Sequence, residues 1–236
     1  MTGRYKAEPV TIRAVIFDLD GTLADTERLH FAAFAEVLRA EGIRLTEEDY
    51  FAHYVGYDDR GCFTALLGDG LGSERLADLI ERKAALYLEM IRERDVLVSG
   101  AERFVRECAA RFTLALATGT LRAEADMILR RAGLTSLFPV LVAAEDVAQG
   151  KPDPEMFLTT LARLRAALGD PALAAAQCLV VEDTTAGIEA ARRAGMPVLA
   201  IAHTMALTAL GDANLSCASI AEAHLDDVLV RLKRQG

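Results

Sequence analysis

The sequence is poor in cysteine and has no Cys-x-x-Cys pair: Cys62, Cys108, Cys178 and Cys217 lie far apart. That scatter gives neither a zinc-site spacing nor a disulfide framework and fits buried, reduced thiols. No stretch approaches about 18 apolar residues without a charge, so no membrane-spanning helix is expected. The opening residues, MTGRYKAEPV, lack the apolar core of a signal peptide, which points to the cytoplasm. Positive charge is also in deficit, with 26 Lys+Arg against 35 Asp+Glu and a net charge of −9. A nucleic acid is therefore excluded as a bulk electrostatic partner. A small anionic substrate is not, because a few local cations or a metal outweigh a distant net charge. Internal repeats and low-complexity segments are missing as well.

What remains is an ordinary globular composition, 52% hydrophobic and 26% charged over 236 residues. A chain of this length makes one large domain or two unequal ones and buries roughly 70–75% of its unfolded surface. Continuous apolar runs occur at 12–18, 112–118, 138–143, 177–181 and 197–201. Runs of this length suit strands covered on both faces, as in a parallel sheet. Helical spacing separates them at 101–110, 121–132, 154–168 and 185–194, and Gly133 and Gly195 stand where helix C-caps belong. Strand–helix alternation implies a doubly wound, Rossmann-like α/β core. Residues 26–95 break the alternation with helical patterns near 26–42, 47–54, 60–67 and 73–94. The expected organisation is a core of residues 1–24 and 96–236 with an α-helical insertion at 25–95.

Three of the expected strands end in reactive groups: Asp18, Thr118, and Glu182-Asp183. Ligands of open α/β sheets bind beyond the carboxyl ends of the strands, so these residues should meet. Asp18 and Asp20 lie on the same side of an extended segment. One carboxylate can attack while the other shuttles a proton to the leaving oxygen. Gly21 allows the tight turn, and Thr22 offers a hydroxyl. Asp18, Glu182 and Asp183 together would repel one another unless a cation sits among them, and hard oxygen ligands suit Mg²⁺. Lys151, in a loop stiffened by Pro152 and Pro154, can neutralise a phosphoryl group. Thr118, Gly119 and Thr120, ahead of a helix, offer hydroxyls and backbone N–H groups to an anion.

In order along the chain, DLDGT at 18–22, the strand-terminal Thr118, Lys151 in GKPDP and VEDT at 181–184 resemble the four motifs of the haloacid dehalogenase-like hydrolase superfamily. The helical insertion resembles that family's C1-type cap. The resemblance implies that Asp18 forms an aspartyl-phosphate, that Asp20 protonates the leaving group and then activates water, and that Thr118 and Lys151 hold the phosphoryl oxygens. It implies Mg²⁺ bound by the Asp18 carboxylate, the Asp20 backbone carbonyl and Asp183, with Glu182 in or just outside the shell. The presence of Asp20 favours phosphate chemistry over dehalogenation.

Within the insertion, Glu27 and His30 share a helix face. Gly56-Tyr57-Asp58-Asp59-Arg60 resembles a substrate loop with Arg60 for an anion, and Lys83 lies on the last long helix. These features are similar to the β-phosphoglucomutase-like subgroup of mutases and sugar-phosphate phosphatases. Thr120-Leu121-Arg122 replaces the Ser-Lys-Asn run of the mutase pattern, which leaves Arg122 as the available cation there. The expectation is a Mg²⁺-dependent sugar-phosphate phosphatase. A β-phosphoglucomutase-type mutase and a phosphoglycolate phosphatase remain as alternatives. The protein is expected to act as a monomer on a small phosphorylated substrate, without nucleic-acid or membrane partners.

Overall fold

The computed structural model describes residues 11–68 and 70–234. The opening segment read for a signal peptide, and the first ten residues of the expected core, lie outside the described residues.

Six parallel strands form one sheet: β1 (Ala14–Phe17), β2 (Thr113–Ala117), β3 (Val140–Val142), β4 (Cys178–Glu182), β5 (Val198–Ile201) and β6 (Leu215–Cys217). Their order is β3-β2-β1-β4-β5-β6, so the winding reverses beside β1. The apolar runs become strands because both faces are covered. Val15 and Phe17 pack with Leu116 and Val181 on one face, whereas Ala14 and Ile16 pack with Ala115 and Val180 on the other. This is the period-two alternation of an extended chain. Helices α5 (Ala101–Ala109) and α6 (Arg122–Arg131) cover the first face. Helices α7 (Glu155–Leu168) and α8 (Thr185–Arg193) cover the second.

Between β1 and β2 run four helices, α1 (Glu27–Ala40), α2 (Glu47–His53), α3 (Asp59–Leu67) and α4 (Ser73–Ile91). They enclose a core of their own, with Phe34, Leu38, Tyr50, Phe63 and Leu79 at its centre. The entering and leaving segments are bonded to each other. Asp25 N donates to Val96 O at 2.7 Å, and Val98 N donates to Leu23 O at 2.9 Å.

The sequence reading did not anticipate β6 or the last helix, α9 (Leu225–Lys233). Both are short, and β6 is an edge strand with one fully buried residue in three. The apolar run that marks the central strands is therefore missing there. The thiols of Cys62, Cys108 and Cys178 are buried, Cys217 is half-buried, and all four are unpaired.

Candidate active site

Register places the site. Phe17 lies opposite Leu116 on one side and Val181 on the other, so the residues that follow emerge together at the carboxyl edge of the sheet. Lys151 reaches in from the loop before α7. Its Nζ donates to Asp18 Oδ1 and to Glu182 Oε1, each at 2.5 Å. Burial by itself would lower the Lys151 pKa, but the charges of Asp18 and Glu182 outweigh it and raise the value. Burial, against the pull of Lys151, holds the Asp18 carboxyl well above the usual range.

Glu182 is fully committed. Its Oε2 accepts from Asp183 N and Thr184 N, both at 2.8 Å, and from the Thr184 hydroxyl at 3.0 Å. Gly187, in the first turn of α8, makes room for this, because a Cβ there would collide with the Glu182 carboxylate. Asp183 is not fully committed. Its Oδ1 accepts from Thr22 at 3.0 Å, and its buried Oδ2 has no hydrogen-bond partner. Burial first, then Glu182, raises the Asp183 pKa well above the ordinary value. One carboxylate oxygen from each of Asp18, Glu182 and Asp183 lies within 4.8 Å of the others. An orphaned carboxylate oxygen in an all-oxygen acidic cluster fits a hard divalent cation such as Mg²⁺. Gly21 frames the same spot: its φ is +75°, and a Cβ there would run into Asp183.

Asp20 faces the helical insertion. Its Oδ1 accepts from Thr26 at 2.6 Å, His30 Nε2 at 3.1 Å and the Tyr87 hydroxyl at 3.4 Å. Its Oδ2 accepts from the hydroxyls of Thr120 and, at 3.4 Å, Thr118. Burial would raise its pKa, but His30 and the hydroxyl donors outweigh that and hold the carboxyl below its ordinary value. Behind His30 stands Lys83, whose Nζ donates to Nδ1 at 2.8 Å. Burial and the Lys83 charge lower the His30 pKa, so the ring is neutral near pH 7. With Nδ1 accepting, the ring proton sits on Nε2 and faces Asp20. Lys83 is itself fully buried, 2.7 Å from Asp59 on α3 and 4.0 Å from Glu124 on α6.

These groups surround a cavity of about 40 Å³, room for a few water molecules. Of the residues singled out in the sequence, Asp18, Asp20, Glu27, His30, Gly56, Gly119, Thr120, Lys151 and Glu182 line it. Thr118 and Asp183 lie against them, bonded to Asp20 and Glu182, and Thr22 stands one step further out, bonded to Asp183. Three expected cations are not on its wall. Lys83 stands behind His30. Arg122 pairs with Asp146 at 2.5 Å and donates to Leu141 O. Arg60 is exposed, on a separate groove lined by α3, α4 and the core residues Leu121, Ala144 and Glu145.

Phe34 and Tyr50 also line the cavity and were not singled out; Tyr57 and Asp59, named only as part of the loop at 56–60, and Thr184, named only within VEDT, line it too. Asp59 was legible in principle. Cys62 and Phe63, three and four residues on, are the buried positions of α3, so Asp59 shares their face while Arg60 is turned away. Glu27 is buried, accepts from the Tyr50 hydroxyl at 3.1 Å, and has its pKa pushed up to about 8 by burial and by the charge of Asp20.

Comparison with known proteins agrees with this architecture. The family model described as haloacid dehalogenase-like hydrolase matches residues 15–201. A protein named CbbY from Rhodobacter capsulatus is 37% identical over 200 residues, covering 80% of this chain and 84% of that one. A phosphorylated carbohydrates phosphatase from Thermotoga maritima is 33% identical over 227 residues, covering 94% and 99%. The crystal structure of a mutant CbbY from Rhodobacter sphaeroides, in complex with xylulose-(1,5)bisphosphate, superposes with a TM-score of 0.78 at 26% identity, covering 90% and 96%. The chain therefore belongs to the haloacid dehalogenase-like hydrolase family.

Proposed function

We propose that the protein is a cytoplasmic, monomeric phosphatase that hydrolyses a small sugar phosphate through an aspartyl-phosphate on Asp18. The observation that carries the reading is Lys151 held between Asp18 and Glu182, with Asp20 lining the same cavity. The names of the relatives from Thermotoga maritima and Rhodobacter sphaeroides support a phosphorylated carbohydrate as substrate.

In this reading an Asp18 oxygen attacks phosphorus and the ester P–O bond breaks. Asp20, entering protonated, gives its proton to the departing sugar oxygen. Water then attacks the phosphoryl group while Asp20, now a carboxylate, takes the proton, which releases inorganic phosphate and restores Asp18. The hydrogen bonds that Asp20 accepts in the structure belong to the second form. Lys151 and Thr118 neutralise and orient the phosphoryl oxygens. Thr22, Gly119 and Thr120 complete that pocket, and Glu27, His30 and Gly56 meet the sugar. Asp18, Asp183 and the Asp20 carbonyl would hold Mg²⁺, with Glu182 acting through Lys151. Bound there, the ion would offset the charge of the phosphoryl group and the carboxylates. Lys83 acts at one remove, by orienting His30.

A cavity of about 40 Å³ admits no sugar phosphate. We therefore take residues 25–95 as a cap that opens away from residues 1–24 and 96–236. Identical X-ray scattering with and without Mg²⁺ and a phosphate mimic would count against that motion. The assignment of Asp18 is tested by Asp18→Asn in a phosphate-release assay over a panel of sugar phosphates with Mg²⁺. Turnover should fall at least ~10³-fold, and undiminished hydrolysis would overturn it. Isomerised sugar in place of free phosphate would identify a mutase.

A further inference from the structure

Granting the phosphatase reading, we infer that the cap side of the cavity selects a substrate with one anionic group only, the reacting phosphate, on an otherwise uncharged polyol or sugar. A second phosphate or a carboxylate on the same molecule is rejected.

The inference rests on where the cations are. Among the described residues, Lys151 is the one lysine or arginine on the cavity wall, and both of its carboxylate partners lie on the core side. The far wall carries Glu27, Asp59, Tyr50 and His30. His30, with Nδ1 held by Lys83 and its Nε2 proton facing Asp20 when the cap is shut, can offer a hydrogen bond but no positive charge. Lys83 is saturated by Asp59 and His30 and sandwiched near the rings of Phe34 and Tyr87, at 5.1 and 4.8 Å from their centroids. Those four partners belong to the cap's own helices; Glu124, at 4.0 Å, is on the core side, so opening the cap removes it but leaves the ammonium on Asp59 and His30.

Arg60 cannot substitute. Adjacent helix positions point about 100° apart, and Asp59 is the inward one, 7% exposed with its carboxylate on Lys83. That phase is fixed by the helix and is the same whether the cap is open or shut. A second anion bound under the cap would lose its water and find no charge partner, which is the costly way to bury a charge. Glu27 brings no positive charge in either protonation state: ionised it repels such an anion, and protonated it offers one O–H hydrogen bond. Hydroxyl groups fare differently, because Glu27, the Tyr50 hydroxyl and Asp59 Oδ2, a buried atom without a partner, can hydrogen-bond to them.

The test compares one hexose as its two monophosphates and as the bisphosphate, and glycerol phosphate against phosphoglycerate, with saturating Mg²⁺. Para-nitrophenyl phosphate serves as a generic ester. The doubly anionic member of each set is expected to show kcat/KM at least ~10-fold below its singly anionic counterpart, mostly through KM. Equal or better hydrolysis of the bisphosphate and the phosphoglycerate overturns the inference and leaves the phosphatase reading intact. No phosphate release from any ester, para-nitrophenyl phosphate included, overturns the phosphatase reading itself and this inference with it. A second arm needs no buried change. Tyr57 lines the cavity yet is 42% exposed, so Tyr57→Arg adds a cation at the mouth. The ratio of bisphosphate to monophosphate kcat/KM should rise at least ~5-fold in that variant, and an unchanged or lower ratio contradicts the electrostatic account.

Discussion

Lys83 donates to Nδ1 of His30 at 2.8 Å, and in doing so it decides which ring nitrogen carries the proton that faces Asp20. A lysine on the fourth helix thus sets the chemistry of a carboxylate on the first strand's loop without touching the cavity.

Replacing that lysine should separate orientation from folding. Lys83→Met is expected to lower kcat at least ~10-fold, because His30 loses its fixed tautomer. The same change leaves Asp59 and Glu124 buried without their cation, which should cost about 3–5 kcal/mol of stability. Steady-state kinetics and a urea melt on one preparation check both. Normal kcat in a destabilised protein would leave Lys83 a structural role only.

Glu27 predicts an unusual pH dependence of stability. Its pKa rises from 4.5 to about 8, first because it is buried and next because Asp20 is near. The folded state therefore holds the proton more tightly than the unfolded one. This contribution is fully present below pH 4.5 and is lost as pH rises through 8. Glu27→Gln should be more stable than the parent at pH 8 by on the order of 2 kcal/mol or more, with the advantage fading toward about pH 5. Thermal melts across that range read it directly.

Asp183 should trade stability for metal. Removing its charge relieves repulsion with Glu182, so Asp183→Asn is expected to melt higher than the parent in a chelator. In the parent, added Mg²⁺ should raise the melting temperature with concentration, as for any ligand that binds the folded state. The variant should show little of that rise and little turnover. An equal Mg²⁺ shift in both proteins would remove Asp183 from the proposed ligand set.

Gly187→Ala reverses a familiar sign. Alanine inside a helix is ordinarily favoured over glycine by up to about 1 kcal/mol. Here the added methyl meets the Glu182 carboxylate, so about 1–3 kcal/mol of destabilisation is expected. Activity should fall with it, because Glu182 is one of the two anchors of Lys151. A stabilised, fully active variant would show that Glu182 can move without consequence.

The central sheet was legible because β1, β2, β4 and β5 are buried on both faces and announce themselves as apolar runs. The strand-end residues were legible for the same reason, since a polar group closing such a run has little structural purpose elsewhere. The cap residues were harder. Arg60 and Arg122 read as anion binders by residue type, but side-chain direction depends on helix phase and on partners distant in sequence. Asp146, which pairs with Arg122, is 24 positions away. Glu124, opposite Lys83, could not be found from spacing at all, because it belongs to a core helix and meets the cap only in the folded molecule. β6 and α9 gave weak signals because an edge strand and a short terminal helix each bury little.

The two connections between core and insertion are paired with each other, through Asp25 to Val96 and Leu23 to Val98. Under the proposed cap motion they act as one pivot and not as two independent straps. A pivot allows swinging about one axis and resists sliding, since a lateral shift would break both backbone bonds. Thr26 and His30, just beyond the pivot, would then leave Asp20 and return to it along the same arc. Admitting a substrate and rebuilding the proton-transfer geometry become a single mechanical coordinate, so a cap halted partway by an oversized guest would be a cap with its acid disarmed.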